Sequence, residues 1–207
     1  MKLLPCLLSS ILCVAAPPAL AQPAPSSPSP DTPPSPSLSP PLSALPSLDV
    51  PGYMGTWYQV AWYPNRFQKQ CLSDTTATYR RLPEGVEVIN RCRNAEGRIE
   101  SVTGLARPAG AQIRGDALQP AQLEVSFLPS WLRWLPIWGS YWVIQLADDG
   151  RYAVVSEPKR EYLWVLSRTP SLAPADESAI RSRLVQQGFD LARWQTHTHA
   201  SPAQGAR

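Results

Sequence analysis

From about residue 49 onward, apolar and polar side chains alternate in short runs set apart by turn residues. In "LEVSF", Leu123, Val125 and Phe127 alternate with Glu124 and Ser126, and in "VEVINRC" Val86 and Val88 alternate with Glu87 and Ile89 before Asn90. A period of two puts successive side chains on opposite faces of a strand. The same reading predicts strands over 55–62, 75–81, 86–92, 98–107, 123–127, 141–147, 152–156 and 163–167. Pro83-Glu84-Gly85, Asn94 to Gly97 and Asp148-Asp149-Gly150 supply tight turns between them, the last a strong hairpin signal. Eight strands joined mainly by hairpins are antiparallel neighbours, and closing the sheet removes its two exposed edges. The expected fold is therefore all-β: an eight-stranded antiparallel up-and-down β-barrel, with an interior just wide enough for one small ligand. After Thr169-Pro170 the period changes. Pro174 suits a first helical turn, Asp176 and Glu177 favour its N-terminus, and Ile180 with Leu184 form a stripe before Gly188, which predicts one C-terminal α-helix packed outside the barrel.

The front of the chain follows other rules. Residues 1–21 carry a single Lys2, a short apolar run and the small-residue site Ala19-Leu20-Ala21, the pattern of a secretory signal peptide. Residues 22–48 hold ten prolines and eight serines, which predicts a disordered, solvated linker. The globular domain is expected over 49–195 and a flexible tail over 196–207. An exported chain is placed in the periplasm, with outer-membrane association as a variant. Cys6 and Cys13 are preceded by Pro5 and Leu12 rather than by a small residue, so neither makes a good lipid-anchor site.

Charge and cysteine content narrow the function classes. The formal net charge is +3, and the cations are scattered without a stripe that could track phosphates, which argues against nucleic acid. Cleavage after Ala21 leaves two of the four cysteines, Cys71 and Cys92, an even pair that in an oxidising compartment reads as a disulfide. The two histidines, His197 and His199, fall in the predicted tail, so no histidine base is expected in the barrel. No metal site, cofactor or catalytic residue is expected, and the chain reads as a non-enzyme. A thiol enzyme built on a free Cys71 or Cys92 is the rival within catalysis, and a docking scaffold with a filled interior is a third class.

Three stretches carry a resemblance. Gly55-Thr56-Trp57 after a short turn, "YWVIQLADDGRYAVV" from Tyr141 and "YLWVLSRTP" from Tyr162 resemble the three signature regions of the lipocalins in order and spacing. "NRFQ", "TTATY", "VEVINRC" and the late "GFD" are similar to the bacterial lipocalins, the relatives of apolipoprotein D. The resemblance implies that Trp57 lies across the closed end of the barrel with Arg168 packed over its indole, and that Gly55 lets the chain turn into the first strand. These three are structural. It further implies that Tyr79, Asn90, Tyr141 and Trp164 face the calyx. Alternation adds Val88 beside Asn90, and Gln59 with Ala61 beside Trp57. The implied ligand is a small amphiphile, a fatty acid or a lysophospholipid, bound by apolar walls and a few polar groups. Monomer and homodimer both stay open.

One stretch has no counterpart in that pattern. "FLPSWLRWLPIWGSYW", residues 127–142, holds four of the eight tryptophans. Its loop, 128–138, is expected either to fold over the barrel or to present Trp131, Trp134 and Trp138 to a membrane surface or partner.

Overall fold

A computed structural model describes residues 40–109 and 121–200. The chain divides into Met1–Ser37 and Leu38–Arg207. The first unit, which contains the expected signal peptide and most of the linker, lies outside the described residues.

Eight strands form the wall: β1 (Gly55–Trp62), β2 (Ser73–Leu82), β3 (Gly85–Arg93), β4 (Ile99–Pro108), β5 (Gln122–Ser126), β6 (Gly139–Leu146), β7 (Tyr152–Ser156) and β8 (Leu163–Ser167). Each pairs antiparallel with the next, and β1 closes the barrel by pairing with both β2 and β8. Every strand expected from alternation is present within a few residues of its predicted ends. A four-residue helix, α1 (Val50–Tyr53), precedes β1, and α2 (Pro174–Gln186) follows β8. A short ninth strand, β9 (Gln195–Thr196), runs antiparallel to the second half of β1.

Two cores result. Inside the barrel, Trp57, Tyr79, Val88, Val143, Val155 and Leu166 pack together. Outside it, Ile180 and Leu184 of α2 are fully buried against Val60, Ile144, Val154 and Val165. The helix is held down by this narrow stripe. Asp176 in its first turn, favoured there by the helix dipole, is also held by Arg151 from the β6–β7 turn.

The sequence reading is corrected at three places. Residues 40–48 are not linker: Leu42 and Leu48 are buried, and the Leu45 amide donates to Val143 O of β6 at 2.9 Å. Leu42 joins the outer core, whereas Leu48, with the half-buried Leu45 beside it, joins the inner one. The tail is not free at its start, because the His197 amide donates to Val60 O, Thr198 O accepts from the Asp74 amide, and His197 is buried. Finally, a β-bulge between Gln59 and Ala61 breaks the alternation of β1. Gln59 stands opposite Leu166 of the inner core, whereas Ala61 stands opposite Val165 and joins the outer core.

Antiparallel order places the loops 63–72, 94–98, 127–138 and 157–162 at one end of the barrel, the mouth. The other end is closed by α1 and Trp57.

Candidate ligand-binding calyx

The closed end is built on Trp57, which is fully buried at the start of β1. Its indole Nε1 donates to Tyr53 O of α1 at 2.8 Å. Arg168, just past β8, lies over the ring with its guanidinium carbon 3.7 Å from the centroid, and donates to Thr56 O and Gly52 O at 3.1 and 2.8 Å. Gly55 sits between these contacts at φ +90°, a conformation that favours glycine.

Above this floor three tyrosines from α1, β2 and β6 meet. Tyr141 Oη lies 2.8 Å from Tyr53 Oη and 2.8 Å from Tyr79 Oη. Burial pushes the Tyr79 phenol up to about 12 and raises Tyr53 and Tyr141 well above the ordinary tyrosine value; Tyr79 adds to the rise for Tyr53, and both neighbours add to it for Tyr141. All three are neutral hydroxyls at neutral pH. The trio carries three hydroxyl protons and only two oxygen–oxygen contacts, so one proton is directed outside it.

A second polar group lies nearer the mouth. Gln68, in the loop after β1, donates from Nε2 to Gln59 Oε1 at 2.8 Å. Its Oε1 accepts from Trp164 Nε1 at 2.8 Å and from Asn65 Nδ2 at 3.1 Å. The loop is thus tied by one amide to two neighbouring strands, β1 and β8, at the seam where the barrel closes. Gln59 is itself buried, and its Nε2 has no hydrogen-bond partner among the described residues.

The remaining sequence-predicted residues fall in three places. Val88 is buried in the inner core, and the half-buried Asn90 shares its face of β3, opposite Ala77 and Val102. Cys71 and Cys92 form a disulfide that ties the mouth loop to the end of β3. The tryptophans of the 127–138 loop divide: Trp131 and Trp134 are exposed, but Trp138 is half-buried under Arg107, whose guanidinium carbon lies 3.8 Å from its ring. Tyr53 and Gln68 were not among the predicted site residues. Tyr53 stands four residues before Trp57 in "GYMGTW", and Gln68 ends "NRFQ", but neither stretch shows that its side chain turns inward.

His197 lies outside the calyx. It lines a groove of about 560 Å³ between the 63–72 loop and residues 195–198, where its Nε2 accepts from the Thr75 amide at 3.3 Å. Burial, aided by the neighbouring His199, holds its imidazole down to about 4.

Comparison with known proteins decides the family, since the lipocalin-like domain family matches residues 48–199. The chain belongs to the lipocalins. It is 36% identical over 148 residues to the outer membrane lipoprotein Blc of Escherichia coli K12, covering 70% of this chain and 76% of that one. It is 34% identical over 150 residues to temperature-induced lipocalin-1 of Arabidopsis thaliana, with the same two coverages, and 28% identical over 162 residues to mouse apolipoprotein D, covering 74% and 78%. Among solved structures, insecticyanin from the tobacco hornworm Manduca sexta superposes with a TM-score of 0.60 at 17% identity, over 77% of this lipocalin and 85% of that chain. At that identity the likeness speaks for the fold alone. As a lipocalin, the chain is a member of a family that binds small hydrophobic ligands in the barrel.

Proposed function

We propose that this lipocalin binds and carries or stores a fatty acid or a lysophospholipid in the bacterial envelope, without catalysis. The observation that carries the reading is the pairing of an apolar interior with a buried trio of hydroxyls and an amide donor, Gln59 Nε2, that has no partner among the described residues. The half-buried Val86, Val125 and Trp164, packed on the inner core, offer a wall against which each methylene contributes about 0.8 kcal/mol. The spare proton of the tyrosine trio and Gln59 Nε2 offer donors to the carbonyl, carboxylate or phosphate oxygens of such a molecule. A buried donor without a partner costs about 1 to 3 kcal/mol, which a bound acceptor recovers. The disulfide takes both mature cysteines out of nucleophilic chemistry and suits an oxidising compartment. The similarity to Blc, an outer membrane lipoprotein of Escherichia coli, supports the envelope setting.

The test is native extraction of the protein from its own host followed by mass spectrometry of what copurifies. A stoichiometric amphiphile supports the carrier. Empty protein that also fails to take up added fatty acid and lysophospholipid overturns it.

A further inference from the structure

Among the described residues nine large hydrophobic side chains are exposed; six lie in the mouth loops, and Ile99 and Val102 are on the half of β4 that leads down from the mouth. Val185, on α2, is the ninth. Phe67 and Leu72 come from the loop after β1, and Trp131, Trp134 and Ile137 from the loop after β5. Trp131 and Trp134 expose 72% and 78% of their surface, values far from those of a side chain folded over a barrel. A soluble monomer seldom gathers its exposed apolar side chains at one pole unless something covers them.

The 127–138 loop is built to hold this arrangement. Leu132 and Arg133 amides donate to Pro129 O and Ser130 O, Leu135 to Leu132 O, and Ile137 to Leu135 O. Arg133 Nε closes the base by donating to Leu128 O at 3.1 Å. Trp138 is stacked under Arg107 on the barrel side. Successive turns therefore satisfy the backbone and leave the two indoles pointing outward.

Charge selects the occupant. The loops 63–72 and 127–138 contain Arg66, Lys69 and Arg133 and no Asp or Glu. Indole rings beside cations, on turns whose backbone is already hydrogen-bonded, match the headgroup zone of an anionic bilayer, where tryptophan is at home and each nearby cation adds attraction. The segment that leads into the barrel is at the same pole: Pro40 O accepts from Arg160 of the mouth loop 157–162. We propose that this lipocalin docks mouth-first on an anionic phospholipid surface through Trp131, Trp134 and Ile137 on one side of the opening and Phe67 and Leu72 on the other. The calyx then opens directly onto the membrane.

The experiment is cosedimentation of the exported protein with vesicles of phosphatidylcholine alone and of phosphatidylcholine with phosphatidylglycerol, without added cargo. The wild type is expected to partition onto the anionic vesicles at least tenfold more strongly than Trp131→Ser/Trp134→Ser, while Val185→Ser stays within twofold of wild type. Arg66→Gln/Lys69→Gln is expected to lose most of the preference for anionic over neutral vesicles. Unfolding curves on each variant confirm that the barrel is intact. Absence of wild-type binding, equal binding by the double tryptophan variant, or an equal loss in Val185→Ser overturns the proposal. So does a dimer in sedimentation velocity that Trp131→Ser/Trp134→Ser dissociates while vesicles bind neither protein, an outcome that makes the rim a contact between copies. Vesicle binding is read without cargo, so its failure is distinct from failure of the calyx to hold a ligand.

Discussion

The guanidinium of Arg168 covers the indole of Trp57 at 3.7 Å while two of its nitrogens bond the carbonyls of Thr56 and Gly52. One side chain thus joins the end of β8 to the start of β1 and to α1, where the barrel closes. Arg168→Leu removes the stacking and leaves both carbonyls without this partner. It is expected to lower stability by about 2 to 3 kcal/mol, read as a lower urea midpoint at unchanged slope. Arg168→Lys keeps the charge but not the planar fork, and is expected to recover less than half of that loss. A loss below about 0.5 kcal/mol in Arg168→Leu would show that the floor is closed by Trp57 alone.

The tyrosine trio separates a structural effect from a binding effect. Tyr141→Phe deletes the central hydroxyl and leaves those of Tyr53 and Tyr79, both buried, without the partner they share, so the empty protein is expected to lose about 1 to 3 kcal/mol of stability. Changing all three to phenylalanine removes every hydroxyl together and so strands none. That variant is expected to bind a fatty acid about tenfold more weakly than wild type, and an uncharged hydrocarbon probe with affinity within about twofold. Parallel losses for both probes would assign the trio to packing.

Gln68 is the only described side chain of the 63–72 loop that bonds both β1 and β8. Gln68→Ala frees the loop from Gln59 and Trp164, which widens the route out of the barrel. Stopped-flow displacement of a fluorescent fatty acid is expected to show release about fivefold faster, with association changed by less than twofold, because affinity changes within one site fall mainly on dissociation. Unaltered release would place the exit elsewhere.

How much of this was legible in the sequence depends on whether one face of an element is wet. Strands such as Val86 to Cys92 and Leu123 to Phe127 announce themselves because polar residues mark the outer face. In β1 both faces are covered near Val60, inside by the calyx and outside by α2, so "YQVAW" gives no alternation from which to read the bulge, and Ala61 was assigned to the wrong side. The segment 40–48 hid its three leucines among prolines and serines. Trp57, Arg168 and the disulfide pair were legible because composition or resemblance isolates them. The contacts of Tyr53 with Tyr141, 88 residues apart, and of Gln68 with Trp164, 96 apart, exist only once the barrel has closed.

The C-terminal strand was missed because "QTHTHA" is polar throughout, although threonine and histidine alternate there with the period of a strand. Its folded position makes a pH prediction. His197 packs edge-on against Trp62 and lies 5.6 Å from the His199 ring, with Asp74, paired to Arg93, facing it from β2. Burial and His199 hold its imidazole at about 4, against about 6.5 in an unfolded chain. Between those values the unfolded state binds the extra proton, so stability falls as pH drops from about 6.5 to about 4 and levels off below. Allowing for water at the exposed edge of the strand, the loss is about 2 kcal/mol. The Asp74 carboxyl is also shifted down, chiefly by its hydrogen bond from Arg93, and its contribution is lost only as pH falls through a value below the usual carboxylate range. The two groups therefore act in different windows. Urea midpoints at pH 7, 6, 5 and 4 are expected to decline in the wild type and to decline markedly less in His197→Gln, which keeps an acceptor for the Thr75 amide but cannot take up the proton. Identical slopes in the two proteins would mean that His197 ionises freely where it stands.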